Sequence, residues 1–537
     1  MRAPAALLLL LLAALGAGAW FAAPSRPPDP GEATTLWLAA ASLAHDGDLA
    51  FTPADAARFR AAFGVEPSDV WRDADGRLAA PALPALAAAA GARISAARGP
   101  FLVQALLVAL AAAALVAALR PRLGAQAPLW VALLLFGSVA FRAGLRLAPE
   151  TLGFAGVAVA YALVWGRRAG AAAAPTEMFE GDLPSRPRLL RWLGAGLGLG
   201  CAASLAPAYL ALALPPLGAL PRARRAFAAG LLALGTILPI ALAAGVEGAP
   251  WDPLEPRLDA RLIAWNGLDF MAGRHVGLLV GFLPVALAFV APALDLGRRW
   301  IPAAAGGAAL FLLFTAPFDW AGAAPGWGNA AFLPIYAALV ARLGGPAPPA
   351  RALLVAALAA PFLLAVWLSP IAGVPAVGGA PLRQALERVR SVLPFETALR
   401  SLPGSVELRR GDVAMRSVGP EIFADAGGER MRLAGRRGRV LIASTRPLSS
   451  VRLEFGAAAP SSLRVGGGEV GNTTFRPSGE IAFDVTLGRP LRRHPLWWSA
   501  APAAIYRLDL DLGQDPGAPL AFELALARSA APVEEKK

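Results

Sequence analysis

Runs of about 20 consecutive apolar residues recur along the first two thirds of this chain, and they constrain the fold more than any motif does. At 1.5 Å per residue, such a run can carry a helix across the hydrocarbon core of a bilayer. Runs of this kind lie near 4–23, 100–119, 128–147, 151–166, 192–206, 207–221, 226–245, 276–296, 300–317, 330–343 and 351–369. Several are short or Pro-rich, notably the pair around Pro207 and Pro215. The composition agrees with the pattern. Hydrophobic residues make up 56% of the 537 and charged residues 16%, against roughly 25% charged in a soluble domain. A soluble multidomain enzyme is excluded. The expected fold is a multi-span α-helical membrane bundle of about 11 transmembrane helices, followed by an extracytoplasmic all-β sandwich.

The basic residues number 50 against 37 acidic ones, for a net charge of +13. Their placement matters more than their excess. Arg120 and Arg122 share one loop, and Arg167, Arg168, Arg186, Arg188 and Arg191 the next but one. Arg222, Arg224 and Arg225, then Arg298 and Arg299, then Arg342 and Arg351 continue the alternation. Short loops rich in arginine stay on the cytoplasmic side, so all five loops can face the cytoplasm together. That reading puts residues 24–98, the turn at 148–150, 247–275, 318–329 and everything after 370 outside. The expected partner is therefore the lipid bilayer. Nucleic acid is not expected, because no basic stripe is interleaved with aromatics. The first apolar run also has the form of a signal peptide; a retained span is the favoured reading, and the rest of the topology is the same either way. One cysteine, Cys201, excludes an intrachain disulfide, and three histidines leave little for a zinc site.

The texture changes after the last apolar run. Residues 371–403 read as a helical linker, with PLRQALERVRSVLPFETALR at 381–400. From 404 to 528, segments such as 438–444, 451–455, 481–487 and 505–512 alternate or run apolar, with β-branched residues. Gly467, Asn472, Pro477, Gly488 and Pro516 are expected between them. Short strands at regular spacing read as an antiparallel sandwich. Residues 529–537 read as a disordered tail. The membrane part is then 1–370, with a large first outer loop at 24–98.

That loop holds the chain's most suggestive acids. Asp46 and Asp48 flank Gly47, next to His45 and directly after a short amphipathic helix. Asp-Gly is also ordinary turn chemistry. Two acids just outside a span can serve as a general base toward an acceptor hydroxyl. They can also hold a divalent cation such as Mg or Mn through oxygen ligands. The rest of the loop reads as amphipathic and semi-apolar helices lying on the membrane surface. Glu150 stands at the outer end of a span, where a helix N-terminus favours an acid in any case. Arg142 and Arg146 fall in the outer half of an apolar helix, where charge is costly and is functional or paired; Glu150 is the natural partner for Arg146. Arg274 and His275 precede a span, placed to grip a lipid phosphate or to snorkel to headgroups. Asp319 and Trp320 are candidates for lining a cleft. His494 reads as structural, and Trp497-Trp498 as core or interface packing rather than a sugar platform.

Taken in order, these features resemble the GT-C superfamily of membrane glycosyltransferases. More closely, they resemble a group of bacterial membrane proteins related to lipid-linked mannosyl/arabinosyltransferases. The residues carrying the likeness are SLAHDGDL at 42–49 and the apolar stretch 78–110 leading into the second span. Pro149-Glu150, GRHVGLL at 273–279 and DWAGAAPGWGN at 319–329 follow in the family's order. The resemblance covers residues 1–370. It implies an inverting enzyme that takes a polyprenyl-phosphate-linked sugar donor and glycosylates an envelope acceptor (glycan, lipid or protein) on the outer face of the bacterial inner membrane. Asp46 or Asp48 would be catalytic, with Arg274, His275, Arg142 and Arg146 at the donor phosphate. Glu150, Asp319, Trp320 and Asn329 would line the acceptor cleft. The outer β domain would orient the acceptor or cap the cleft.

One departure favours another outcome. Relatives follow Gly-Asn with Arg and an aromatic, whereas this chain reads Gly328-Asn329-Ala330-Ala331-Phe332. Guanidinium is the preferred bidentate partner of phosphate, so the loss suits a non-catalytic GT-C-like scaffold that binds envelope glycans. A transporter of a lipid-linked substrate is the third reading; it would want two-fold internal similarity, and none is evident.

Overall fold

The computed structural model describes residues 2–22, 27–28, 32–67, 70, 72–73, 75–138, 140–166, 186–220, 225–247, 264, 267–268, 270–271, 277, 299–315 and 330–343 of the first part. In the C-terminal part it describes 407–410, 413–418, 422–424, 431–433, 437–455, 463–467, 470–475, 482–487, 492–496, 499–512 and 520–528. Two compact units divide the chain. One comprises Met1–Arg257, Phe270–Ala316 and Trp327–Pro394, and the other Leu258–Asp269, Pro317–Gly326 and Phe395–Lys537. The first is helical and the second carries the β-sheets.

The helical unit begins with α1 (Arg2–Ala22), whose leucine run leaves Leu9 and Leu10 about two thirds exposed, as a lipid-facing helix requires. The first loop contributes α2 (Glu32–His45), α3 (Pro53–Phe63) and α4 (Ala82–Ala92). Then come α5 (Gly99–Leu123), α6 (Ala127–Phe136), the single turn α7 (Ala140–Ala143) and α8 (Glu150–Trp165). Next are α9 (Arg186–Ala203), a 3₁₀ helix (Pro207–Ala213) continued by α10 (Leu214–Gly218), and α11 (Arg225–Glu247). The last are α12 (Ile301–Thr315) and α13 (Phe332–Ala341).

Three stretches among the described residues are long and apolar enough to cross a membrane: Pro4–Phe21, Gly99–Phe136 and Arg225–Glu247. The expectation of about 11 transmembrane helices is not met. The physical reasons differ by segment. The run at 100–119 and the first part of the run at 128–147 form one stretch of 38 residues, Gly99–Phe136, interrupted only by a 3₁₀ turn at Gly124–Gln126. The α8 helix has 16 residues and α13 has 10, short of the roughly 20 that a perpendicular crossing needs. The Pro-rich run at 207–221 winds as 3₁₀ helix instead of continuous α-helix. The runs at 276–296 and 351–369 lie outside the described residues.

Glycine determines how the central helices meet. In α9 it recurs at 194, 196, 198 and 200, so i and i+4 members share a face and the two faces differ. Gly194 packs beside Leu163, and Gly198 against the backbone of Gly156, so α8 and α9 run antiparallel. Gly196 meets the backbone of Leu232 and Gly235, and Gly200 meets Thr236 and Pro239, so α11 runs parallel to α9. Small residues permit this backbone approach where lipid offers no hydrophobic drive between helices. Buried tyrosines tie further elements through backbone carbonyls: Tyr161 Oη donates to Leu212 O at 3.0 Å and Tyr209 Oη to Ala331 O at 2.8 Å.

In the second unit, β1 (Glu407–Arg410), β2 (Val413–Val418), β5 (Arg437–Ser444), β11 (Ser499–Asp511), β7 (Leu463–Gly467) and β8 (Val470–Phe475) follow one another across the larger sheet, with β10 (Arg492–Leu496) also on β11. The smaller sheet orders β3 (Ile422–Ala424), β4 (Met431–Leu433), β12 (Leu520–Arg528), β6 (Leu448–Phe455) and β9 (Ala482–Thr486). All pairings among the described strands are antiparallel. Period-two alternation sends Val440, Ile442, Tyr506 and Leu508 of one sheet into the same core as Val451, Leu453, Phe483 and Phe522 of the other. The four segments expected to be strands correspond to β5, β6, β9 and β11, with 481 outside the described residues. Asn472, expected in a turn, instead lies within β8, beside the partner of Val465 in the ladder to β7. The linker at 371–403, Trp497, Trp498 and the tail lie outside the described residues; His494 belongs to β10.

Candidate functional site

The Asp-Gly-Asp turn is set by the elements on either side of it. The α2 helix ends at His45, and Asp46 and Gly47 both donate backbone N–H to Ser42 O, at 2.7 and 3.0 Å. Gly47 sits at φ +81°, in the left-handed region that a side chain resists. Asp48 Oδ1 then accepts from the Ser42 hydroxyl at 3.1 Å and from Ala50 N–H at 3.0 Å. Asp48 closes the turn. Both local donors fall on the same carboxylate oxygen, Oδ1.

Asp46 is held differently. Its Oδ1 pairs with Arg58 Nη2 at 2.6 Å, and its side chain is 33% exposed. Arg58 Nη1 bonds Asp55 Oδ1 at 2.7 Å, one helical turn back. Asp55 is wholly buried and is the anchor of this group. Its Oδ2 accepts both the backbone N–H and the hydroxyl of Thr52, each at 2.8 Å, at the start of α3. Thr52-Pro53-Ala54-Asp55 is a helix-start pattern, with proline at the first helical position and an acid reaching back to the cap residue. Gly64 at φ +73° ends the helix.

A packed platform carries this turn. Trp37 of α2 is fully buried, stands edge-on to Phe59 and Phe63 at 5.3 and 5.2 Å, and donates Nε1–H to Ala96 O at 3.0 Å. The α4 helix is mostly buried beneath α2. Its N-terminal Ala82 N–H bonds Glu247 Oε1 at the end of α11. Its Gly91 packs on Gly99 at the start of α5, and Arg98 lies over the Trp20 ring at the end of α1, 5.2 Å from its centroid. The loop is thus a cap built on the ends of α1, α5 and α11. The expectation that α4 lies on a membrane surface is corrected, because its alanine face is buried in protein.

The remaining expected site residues divide sharply. Arg146 is not inside an apolar helix: α6 stops at Phe136, Gly137 and Ser138 break it, and Arg146 lies in the turn after α7. There it is 9% exposed. Arg146 does not share a helix with Glu150, so the one-turn spacing on which their expected pairing rested does not hold. Glu150 opens α8, and its Oε2 is shut from solvent with no hydrogen-bond partner among the described residues. Tyr209 lies near enough to feel the charges of both Glu150 and Glu32. Arg142 belongs to α7. Arg274, His275, Asp319, Trp320 and Asn329 lie outside the described residues. Arg58, Asp55, Glu32 and Glu247 were not anticipated. Thr-Pro-x-Asp at 52–55 is a legible capping signal for Asp55, whereas the other three depend on distant contacts.

Among the described residues, no three potential metal ligands are gathered. Asp46 is already matched to a guanidinium and Asp48 to turn donors, so this pair does not fit a divalent cation. Comparison with protein-family models, with characterised proteins and with solved structures gives no match to this chain. What the chain displays is a helical protein with membrane-length apolar helices, a capped bundle end and a separate two-sheet β unit.

Proposed function

We propose that the chain is a GT-C-like inverting glycosyltransferase of a bacterial inner membrane. It takes a polyprenyl-phosphate-linked sugar and glycosylates an envelope acceptor at the outer face. In this reading the membrane-length apolar helices cross the bilayer, and the cap and β unit lie outside. The carrying observation is an acid, Asp46, one third exposed and fixed by Arg58 on a cap seated on the ends of apolar helices. Asp46 takes the role of base, and Asp48 shapes the turn. Asp46 would receive the acceptor hydroxyl proton as that oxygen bonds to the anomeric carbon. The bond from that carbon to the phosphate oxygen breaks, and polyprenyl phosphate leaves with the electron pair. One displacement inverts the centre. Arg146, with Arg142, Arg274 and His275, is assigned to the donor phosphate, and Glu150, Asp319, Trp320 and Asn329 to the acceptor cleft.

The test is transfer of labelled mannose or arabinose from a synthetic polyprenyl-phosphate donor to envelope acceptors by the purified protein. Loss of a general base lowers rates by about 10²–10⁴-fold, so Asp46→Asn is expected to fall by that factor while remaining folded. Retained activity in Asp46→Asn removes the assignment. A second reading, a non-catalytic scaffold, is favoured by the structural employment of both acids and by Ala330 standing where an arginine is expected. It predicts glycan binding without any glycosidic product.

A further inference from the structure

We propose that Arg58 is a positioning residue for Asp46, an inference that rests on the glycosyltransferase reading above. The guanidinium bridges two carboxylates of different standing. Asp55 is inaccessible to solvent, with one oxygen on Thr52 and the other on Arg58 Nη1. Asp46 is at the surface, with Oδ1 on Arg58 Nη2 and no described residue on Oδ2. The next residue, Phe59, is locked between Trp37 and Phe63, so the backbone that carries Arg58 is fixed. The bridge therefore runs from the first turn of a rigid helix to one chosen oxygen of a surface acid.

Two consequences follow. Asp46 loses its freedom to rotate, and Oδ2 is the oxygen left for an acceptor hydroxyl. Two carboxylates against one guanidinium also leave the group with a net charge of about −1. Because Asp55 is sealed and fully hydrogen-bonded, Asp46 is the carboxylate of the two that an acceptor can reach. An arginine facing Asp46 alone would have cancelled the base; one shared with a buried acid holds it in place.

A misplacement of about 1 Å costs on the order of 10²-fold in rate. With the donors above, Arg58→Gln is expected to lower kcat by about 10–100-fold and to move KM for either substrate less than about twofold. Arg58→Lys is expected to recover part of the rate, because one ammonium cannot reach both carboxylates in the fork geometry. The double variant Asp46→Asn/Arg58→Gln is expected to be no slower than Asp46→Asn alone. Thermal midpoints measured on each variant separate this from unfolding, with Arg58→Lys the milder substitution. If Asp46→Asn abolishes transfer while both Arg58 variants keep wild-type kcat, the positioning role fails and the reading stands. Additive losses in the double variant also overturn the role. If Asp46→Asn transfers normally, or the wild-type protein transfers from neither donor, the reading itself fails and this inference with it.

Discussion

The carboxylate of Glu247 accepts the backbone N–H of Ala82 across 165 positions of sequence, joining the last residue of α11 to the first residue of α4. An acid at a helix N-terminus satisfies a donor that the helix itself leaves open and also meets the positive end of its dipole. Here the capping acid is not local. The cap domain of the first loop is thereby fastened to a helix that begins more than a hundred residues later.

Glu247→Ala should cost about 0.5–2 kcal/mol, the range for lost N-terminal caps. The effect should be local before it is global. Amide hydrogen exchange is expected to accelerate at Leu83–Ala85, the first turn of α4, while exchange within α5 is unchanged.

Glycine positions in the bundle should fall into two classes. A Cβ at Gly198 would meet the Gly156 backbone closer than real atoms approach, whereas a Cβ at Gly230 meets nothing within 4 Å. Gly198→Ala is expected to destabilise by about 1–3 kcal/mol through overpacking. Gly230→Ala is expected to stabilise by about 0.5–1 kcal/mol, as an alanine replacing glycine inside a helix. Thermal midpoints in one detergent decide both signs.

Trp37 should be the energetic centre of the cap. Trp37→Ala removes a fully buried indole, its contacts with Phe59 and Phe63 and its bond to Ala96 O. Losses of this type run to about 3–5 kcal/mol. Limited proteolysis should then cut within residues 46–52 faster than in the wild-type protein.

Within the β unit, Tyr506 Oη accepts the buried N–H of Leu448 at 3.0 Å, linking the larger sheet to the smaller. Tyr506→Phe keeps the ring and orphans the donor, at about 1–3 kcal/mol. Faster exchange of the Leu448 amide, with the midpoint of the β unit lowered, is the expected result.

The apolar runs and the strand alternation were legible because each depends on near neighbours in sequence. Helix length was less so. Hydropathy marks residues 128–147 as continuous, but Gly137 and Ser138 stop the helix, and the Ser138 hydroxyl bonds Leu135 O at 3.1 Å. Likewise Pro207–Ala213 is apolar enough for a span yet winds as 3₁₀ helix. Asp46 and Asp48 were visible as a pair, but their difference was not. It arises from Arg58, twelve residues on and on another helix. Nothing in the spacing of an Asp-Gly-Asp turn reports which acid a distant guanidinium selects. Glu247 was hidden for the same reason, since its partner is a backbone amide with no side-chain signature.

The alternating glycines of α9 have a mechanical consequence. One face of the helix keys into α8 and the other into α11, so turning α9 about its axis would unseat both partners at once. Sliding it by a turn would drive a neighbouring Cβ into a backbone. These three helices therefore behave as a single stiff plate, and bending is confined to its borders.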